Sequence, residues 1–164
     1  QGLSEYSIAA SSTAIYQNDP VKMADTGEIE VAAAAEVLLG SLNGVFFTDA
    51  TTSKPTYANH LKAANTATDI VGFVSDDPYE RFEVQSAGTV AQTNIGNCAD
   101  ISYSAGSSPN FVSKTEISGT MAATAAQLKI IGVSKDPDNN ELGSANANVV
   151  VTINEHFLKA TAGI

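Results

Sequence analysis

Apolar and polar residues alternate along this chain in short runs, and turn residues interrupt them every few positions. The clearest case is Asp69 to Gln85, D-I-V-G-F-V-S-D-D-P-Y-E-R-F-E-V-Q. Ile70, Val71, Phe73 and Val74 make a compact apolar run around Gly72. Ser75-Asp76-Asp77-Pro78 then supplies turn chemistry, since Asp side chains bond nearby backbone N–H groups and Pro fixes φ. Phe82 and Val84 alternate with Arg81, Glu83 and Gln85, the period of a half-buried strand. The pattern predicts a central hairpin. The same device recurs as Leu128 to Pro137, extended by Asp138-Asn139-Asn140 and returning through Val149 to Ile153. Gly72 and Gly132 each follow β-branched residues and precede a Ser and an Asp-Pro, and Val37-Leu38-Leu39-Gly40 is a fainter copy.

The remaining segments predict further short strands. Ala14-Ile15-Tyr16 is the first, and Asn18-Asp19-Pro20 turns it into Val21-Lys22-Met23. Glu28 to Val31 alternates cleanly after the Asp25-Thr26-Gly27 turn. Asn43-Gly44 between Leu38-Leu39 and Val45-Phe46-Phe47 reads as a two-residue hairpin turn. Pro55 bars a central strand nearby. Residues 57–67 read as a short helix or an irregular excursion. Gly88 to Gln92, Ala99 to Tyr103 and Lys114 to Ile117 supply more strand, and Ala122 to Gln127 reads as a helical turn or bulged edge. No long amphipathic helix competes. The expectation is a mainly β fold: a compact β-barrel or sandwich of many short antiparallel strands, with at most one or two short helices. Residues 14–157 form one β-rich domain in this reading, 1–13 an N-terminal arm and 158–164 a C-terminal tail.

Composition narrows the function. At 164 residues, one domain burying about 70% of its unfolded surface is expected. Charged residues make up 16%, below the roughly 25% usual for soluble domains, which suits a β-protein whose exterior touches neighbours. The formal charge of −10, with seven Lys and one Arg and no basic cluster, argues against nucleic acid and anionic membranes as partners. No apolar run approaches the ~20 residues of a spanning helix, no signal peptide is read, and no N-x-S/T sequon occurs. Cys98, the only cysteine, reads as a small packed residue, so neither a disulfide within the chain nor a Cys-based metal site is expected.

Catalytic motifs are missing: there is no G-x-S-x-G, P-loop, G-x-G-x-x-G or H-E-x-x-H. His60 reads as a surface or turn residue and His156 as locally hydrogen-bonded. Asp136, Asp138 and Asn140 have the spacing that opens a calcium loop. Glu141 then stands where Gly is needed and Ala147 where a bidentate Glu belongs, so these residues and Asp76-Asp77 read as turn formers. Arg81 and Glu83 are expected on one strand face as a solvated or interfacial pair. The aromatic residues show no clustering into a sugar-stacking platform. No catalytic residue, cofactor or metal is expected.

Taken in order, Asp76-Asp77-Pro78, Phe82-Glu83-Val84-Gln85, Ile95-Gly96-Asn97-Cys98-Ala99-Asp100, Ile130-Ile131-Gly132, Pro137-Asp138-Asn139 and Ile153-Asn154-Glu155-His156 resemble a recurrent virion protein of tailed phages, podovirus-like ones included. That protein is encoded with the major capsid protein and reads as a head decoration, or cement, protein. The likeness runs over roughly residues 14 to 157. It implies a β-rich body on the outer surface of the capsid, bound to the major capsid protein and self-associated as a homotrimer or homodimer, and it carries over no catalytic residue. The expected partner-binding residues are Gln1, Gly2, Leu3, Ser4, Glu5 and Tyr6 of the arm, with Arg81 and Glu83. The competing expectations are a surface module recognising host glycan or envelope, marked by an exposed aromatic cluster beside Asp or Asn, and a small hydrolase, marked by a pocket joining a histidine to a carboxylate and a nucleophile.

Overall fold

The structure is a computed structural model that describes residues 2–10 and 12–159. Twelve strands and two 3-10 turns make up the regular elements among them. The fold is mainly β and antiparallel, its sheets are open rather than closed into a barrel, and the arrangement is consistent with a β-sandwich.

The first sheet has the order β1 (Ser4–Ser7), β6 (Val71–Ser75), β4 (Gly40–Thr48), β2 (Pro20–Met23), β3 (Ile29–Val31), with β5 (Pro55–Ala58) added to the far half of β4. The second has the order β7 (Arg81–Gln85), β12 (Asn148–Ile153), β11 (Leu128–Val133), β8 (Cys98–Ala99). A small pair, β9 (Ile101–Ser102) with β10 (Glu116–Ile117), stands beside them. Each larger sheet buries its own apolar set. Ile8, Ile15, Val21, Leu42, Val45, Leu61 and Val74 fill the first core, and Leu38, Ile101, Ile117, Ile130, Val149 and Val151 fill the second. Leu38 and Leu39 are sequence neighbours, yet Leu38 belongs to the second core and Leu39 to the first.

Three expectations about local pairing are corrected. Asp69 to Gln85 does not close into a hairpin: β6 lies between β1 and β4, so both its edges are occupied, and β7 pairs with β12 in the other sheet. The copy at Leu128 to Ile153 does pair with itself, β11 against β12. Asn43-Gly44 is not a turn. Residues 40–48 run on as one strand, and the register against β6 shifts between Leu42 and Gly44. Leu42 and Val45, three apart, would face opposite sides of a regular strand; the extra residue lets both point into the core. The third correction concerns the arm. Ser4–Ser7 pairs residue for residue with Val74–Val71 and Ile8 is buried, so this part of residues 1–13 belongs to the sheet. Its inward positions are Ser4, Tyr6 and Ile8, and the polar Ser4 muted the apolar alternation.

Elsewhere the chain follows local chemistry. Pro55 opens β5, an edge strand that needs no N–H there. Residues 59–67 are irregular rather than helical, held by the reciprocal Ile15–Leu61 backbone bonds of 3.0 and 2.8 Å. Residues 122–127 are likewise neither helix nor named strand, although Ala122 bridges Cys98.

Candidate functional site

The outer face of the first sheet carries the most unusual surface. Phe46 on β4 stands opposite Tyr57 on β5 and Val71 on β6, and Gly44 stands opposite Phe73. Tyr57 is 75% exposed, its ring lies 4.8 Å from that of Phe46, and Phe73 follows at 6.4 Å and 17° from Tyr57. Gly44 has no side chain between them, so Tyr57 and Phe73 can lean together across β4. Asp69, beside the patch, is held below the ordinary carboxyl range by Thr48, first through its side chain and then through its N–H, which Asp69 accepts at 2.9 Å. The aromatic residues therefore do cluster, contrary to the reading of the sequence. Phe46, Tyr57 and Phe73 are 11 and 16 residues apart, and only the β5–β4–β6 pairing reveals them as neighbours. A second group, His60 stacked on Phe111 at 3.9 Å with Tyr16 nearby, fastens the irregular segment to the loop after Ser107.

The expected partner-binding residues that the structure describes divide between the β1 region of the first sheet and β7 of the second. Gln1 lies outside the described residues. Gly2, Leu3 and Glu5 are exposed, whereas Ser4 and Tyr6 turn their hydroxyls to Asp76, at 2.9 and 2.7 Å. Burial, helped by the Asp76 charge, raises the Tyr6 hydroxyl to a pKa of about 12. Arg81 and Glu83 lie on β7, in the other sheet, and are exposed on one face of it. They form no ion pair with each other: among the described residues, Lys22 with Glu30 at 3.0 Å and with Glu36 at 2.5 Å are the pairs.

A groove of about 710 Å³ opens between the sheets over Phe82, Val84, Leu128 and Val151, with Glu83, Lys114 and Glu116 at its rim. Neither histidine lines it. His156, whose ring is buried beside the Asp76 turn, shares a smaller hollow of about 240 Å³ with Glu155 and Lys159, and no hydroxyl or thiol joins them. Of the acidic residues read as turn formers, Asp77 and Asp136 act locally, whereas Asp76 reaches across to Ser4 and Tyr6 of β1. Asp77 accepts the Tyr79 N–H at 2.8 Å and Asp136 accepts that of Asp138 at 3.1 Å. No cluster of three metal-binding side chains occurs among the described residues.

Sequence reasoning missed two buried polar residues. Asp19 is fully buried; its Oδ2 accepts the Tyr16 N–H at 2.8 Å, and desolvation pushes its carboxyl up. Gln127 is also fully buried and ties three segments together, donating to Ala33 and Glu36 carbonyls and accepting from Ile101 N–H. The apolar residues around each gave no periodic signal that a polar side chain would turn inward.

Neither a family model, nor a curated protein, nor a solved structure matches this chain.

Proposed function

We propose that the chain is a non-enzymatic structural protein that decorates and stabilises the head of a tailed phage, binding the outer surface of the major capsid protein lattice as a self-associated oligomer. The observation that carries this reading is the Phe46–Tyr57–Phe73 face. A half-open aromatic patch on a sheet whose other side is already a filled core is a surface built for a partner. Tyr at the centre of such a patch is a favoured binding anchor. Low charge density and the acidic balance support it, since the exterior neither invites nucleic acid nor repels protein neighbours through dense charge. The residues that carry the phage resemblance lie mainly on β7, β8, β11, β12 and their turns, so the likeness concerns the scaffold while the aromatic face lies on the other sheet.

The test is sedimentation of the purified chain with empty, expanded heads of its phage, alongside its own oligomeric mass. Wild type should co-sediment at a fixed copy number per capsid subunit and raise the heat resistance of the shell. Tyr57→Ala, a surface change, should lose most of that binding while remaining folded. Heads that sediment bare would refute the reading.

The same patch favours a second reading, a surface module for host glycan, because exposed aromatic rings beside Asp69 also suit the apolar face of a sugar. Chemical-shift changes confined to residues 44–57 and 69–73 on adding neutral oligosaccharides, without head binding, would select it.

A further inference from the structure

We propose that His156 is an acid-operated latch: protonation of its imidazole opens the C-terminal turn at Phe157–Lys159 and uncovers the part of the first core beneath Phe157. The segment after β12 crosses from the second sheet to the first. Leu38 N–H donates to the Glu155 carbonyl at 3.0 Å and Phe157 N–H to the Leu38 carbonyl at 2.8 Å, which hooks residues 155–157 onto the strand-like stretch before β4. Phe157 then packs against the first core. What holds the turn from within is the ring itself. His156 Nδ1 accepts the Leu158 N–H at 3.1 Å, and the His156 carbonyl accepts that of Lys159 at 2.9 Å.

An acceptor at Nδ1 fixes the tautomer. The lone pair is on Nδ1 and the proton on Nε2, which is buried with no well-aligned acceptor among the described residues, while the Asp76 backbone lies against the ring. A second proton can enter only at Nδ1. There it meets the Leu158 N–H head on, converting an acceptor into a donor and breaking the bond that shapes the turn. His156 is 2% exposed, so the new charge cannot be solvated in place.

Three elements pack around the ring and two of them bring charge, with Glu155 beside it on its own segment. Asp76 and Asp77, on the turn after β6, favour the imidazolium, and Lys159, on the C-terminal turn, opposes it. Asp76 is already engaged by Ser4 and Tyr6, and the Lys159 ammonium lies 4.6 Å over the Tyr79 ring. Val37 and Leu38, on the third element, bring no charge. Burial is the largest influence and holds His156 below the ordinary histidine value. The unfolded or opened segment therefore binds the proton more readily than the closed one. Closure is fully stable above the ordinary value near 6.5 and weakens as pH falls from there to the depressed folded value, below which the loss stops growing.

The experiment is an NMR titration of the whole chain from pH 7.5 downward, following the His156 ring and the exchange protection of the Leu158 and Lys159 amides, corrected for intrinsic exchange. Their protection should fall about tenfold per pH unit below about 6.5 until His156 itself titrates. Core amides such as Val151 should keep theirs. In His156→Asn the side-chain oxygen can still accept the N–H two residues on, as in an Asx-turn, but cannot titrate. That variant should keep Leu158 protected at every pH. Protection of Leu158 that is independent of pH in the wild type, or that falls equally in His156→Asn, overturns the proposal. Should the variant fail to fold, the wild-type titration decides alone: a loss of Leu158 protection that continues past the His156 transition, or that levels off at the His60 transition instead, also overturns it.

Discussion

Replacing Gln127 by Leu tests whether a buried amide, rather than apolar area, fastens the two halves of this protein. Gln127 precedes β11, and its side chain reaches the link between β3 and β4 on one side and β9 on the other. Leu has similar volume and no polar atoms, so it isolates the hydrogen bonds from packing. The Ile101 N–H is in the interior, and leaving it without an acceptor costs about 1–3 kcal/mol. The Ala33 and Glu36 carbonyls accept at 2.8 and 2.7 Å nearer the surface, where water replaces part of each bond. Each of those contributes about 0.5–1.5 kcal/mol. A loss of about 3–4 kcal/mol is expected in total, a large share of the roughly 5–15 kcal/mol that holds a domain folded. For a chain of this length the melting temperature should fall by about 6–16 °C. Urea unfolding followed by circular dichroism is the assay, with the midpoint shifted and the slope unchanged, since the surface exposed on unfolding is nearly the same. A Gln127→Leu protein within about 1 kcal/mol of wild type would refute the reasoning, because it would mean the three partners find water or new partners at no cost.

The two glycines that look alike in sequence should respond in opposite ways. A methyl at Gly72 would meet the tips of Ile29, Ile8 and Leu42 at 2.9–3.1 Å, so Gly72→Ala should destabilise by about 1–2 kcal/mol. Gly132 has nothing within 4 Å, and Gly132→Ala should be neutral or gain up to about 1 kcal/mol by restricting the unfolded chain; urea midpoints decide both. Asp76→Ala removes the acceptor of Ser4 and Tyr6 and should cost about 1–3 kcal/mol. In the same variant the Tyr6 hydroxyl should titrate below its native value of about 12 yet above 10, because burial is the larger cause; absorbance near 295 nm follows it, and an unchanged Tyr6 would contradict the contact.

What the sequence disclosed was strand identity more than strand partnership. Val21 to Met23, Ile29 to Val31, Val71 to Ser75, Arg81 to Gln85, Leu128 to Val133 and Val149 to Ile153 all became strands because alternation and β-branching report local burial. Pairing is decided by edges, and no local pattern records that β1 and β4 have already taken both edges of β6. Asn43-Gly44 misled for a related reason: turn chemistry also serves a bulge, and only the need to bury both Leu42 and Val45 tells the two apart. The aromatic face was hidden because its members come from three strands. His156 was legible as a locally bonded residue, which the Leu158 contact bears out, while its depth of burial was not.

Leu38 and Leu39 divide two interiors between them across a single peptide bond. A molecule with two separate cores would be free to melt in two stages, one half fraying while the other endured. Here neither interior can loosen without tugging an adjacent Cα that the other holds fixed. Heat, denaturant or a mechanical load applied at one sheet is thereby shared by the other. Two modest cores are therefore expected to unfold as one cooperative body, a useful property for any protein that must not yield piecemeal.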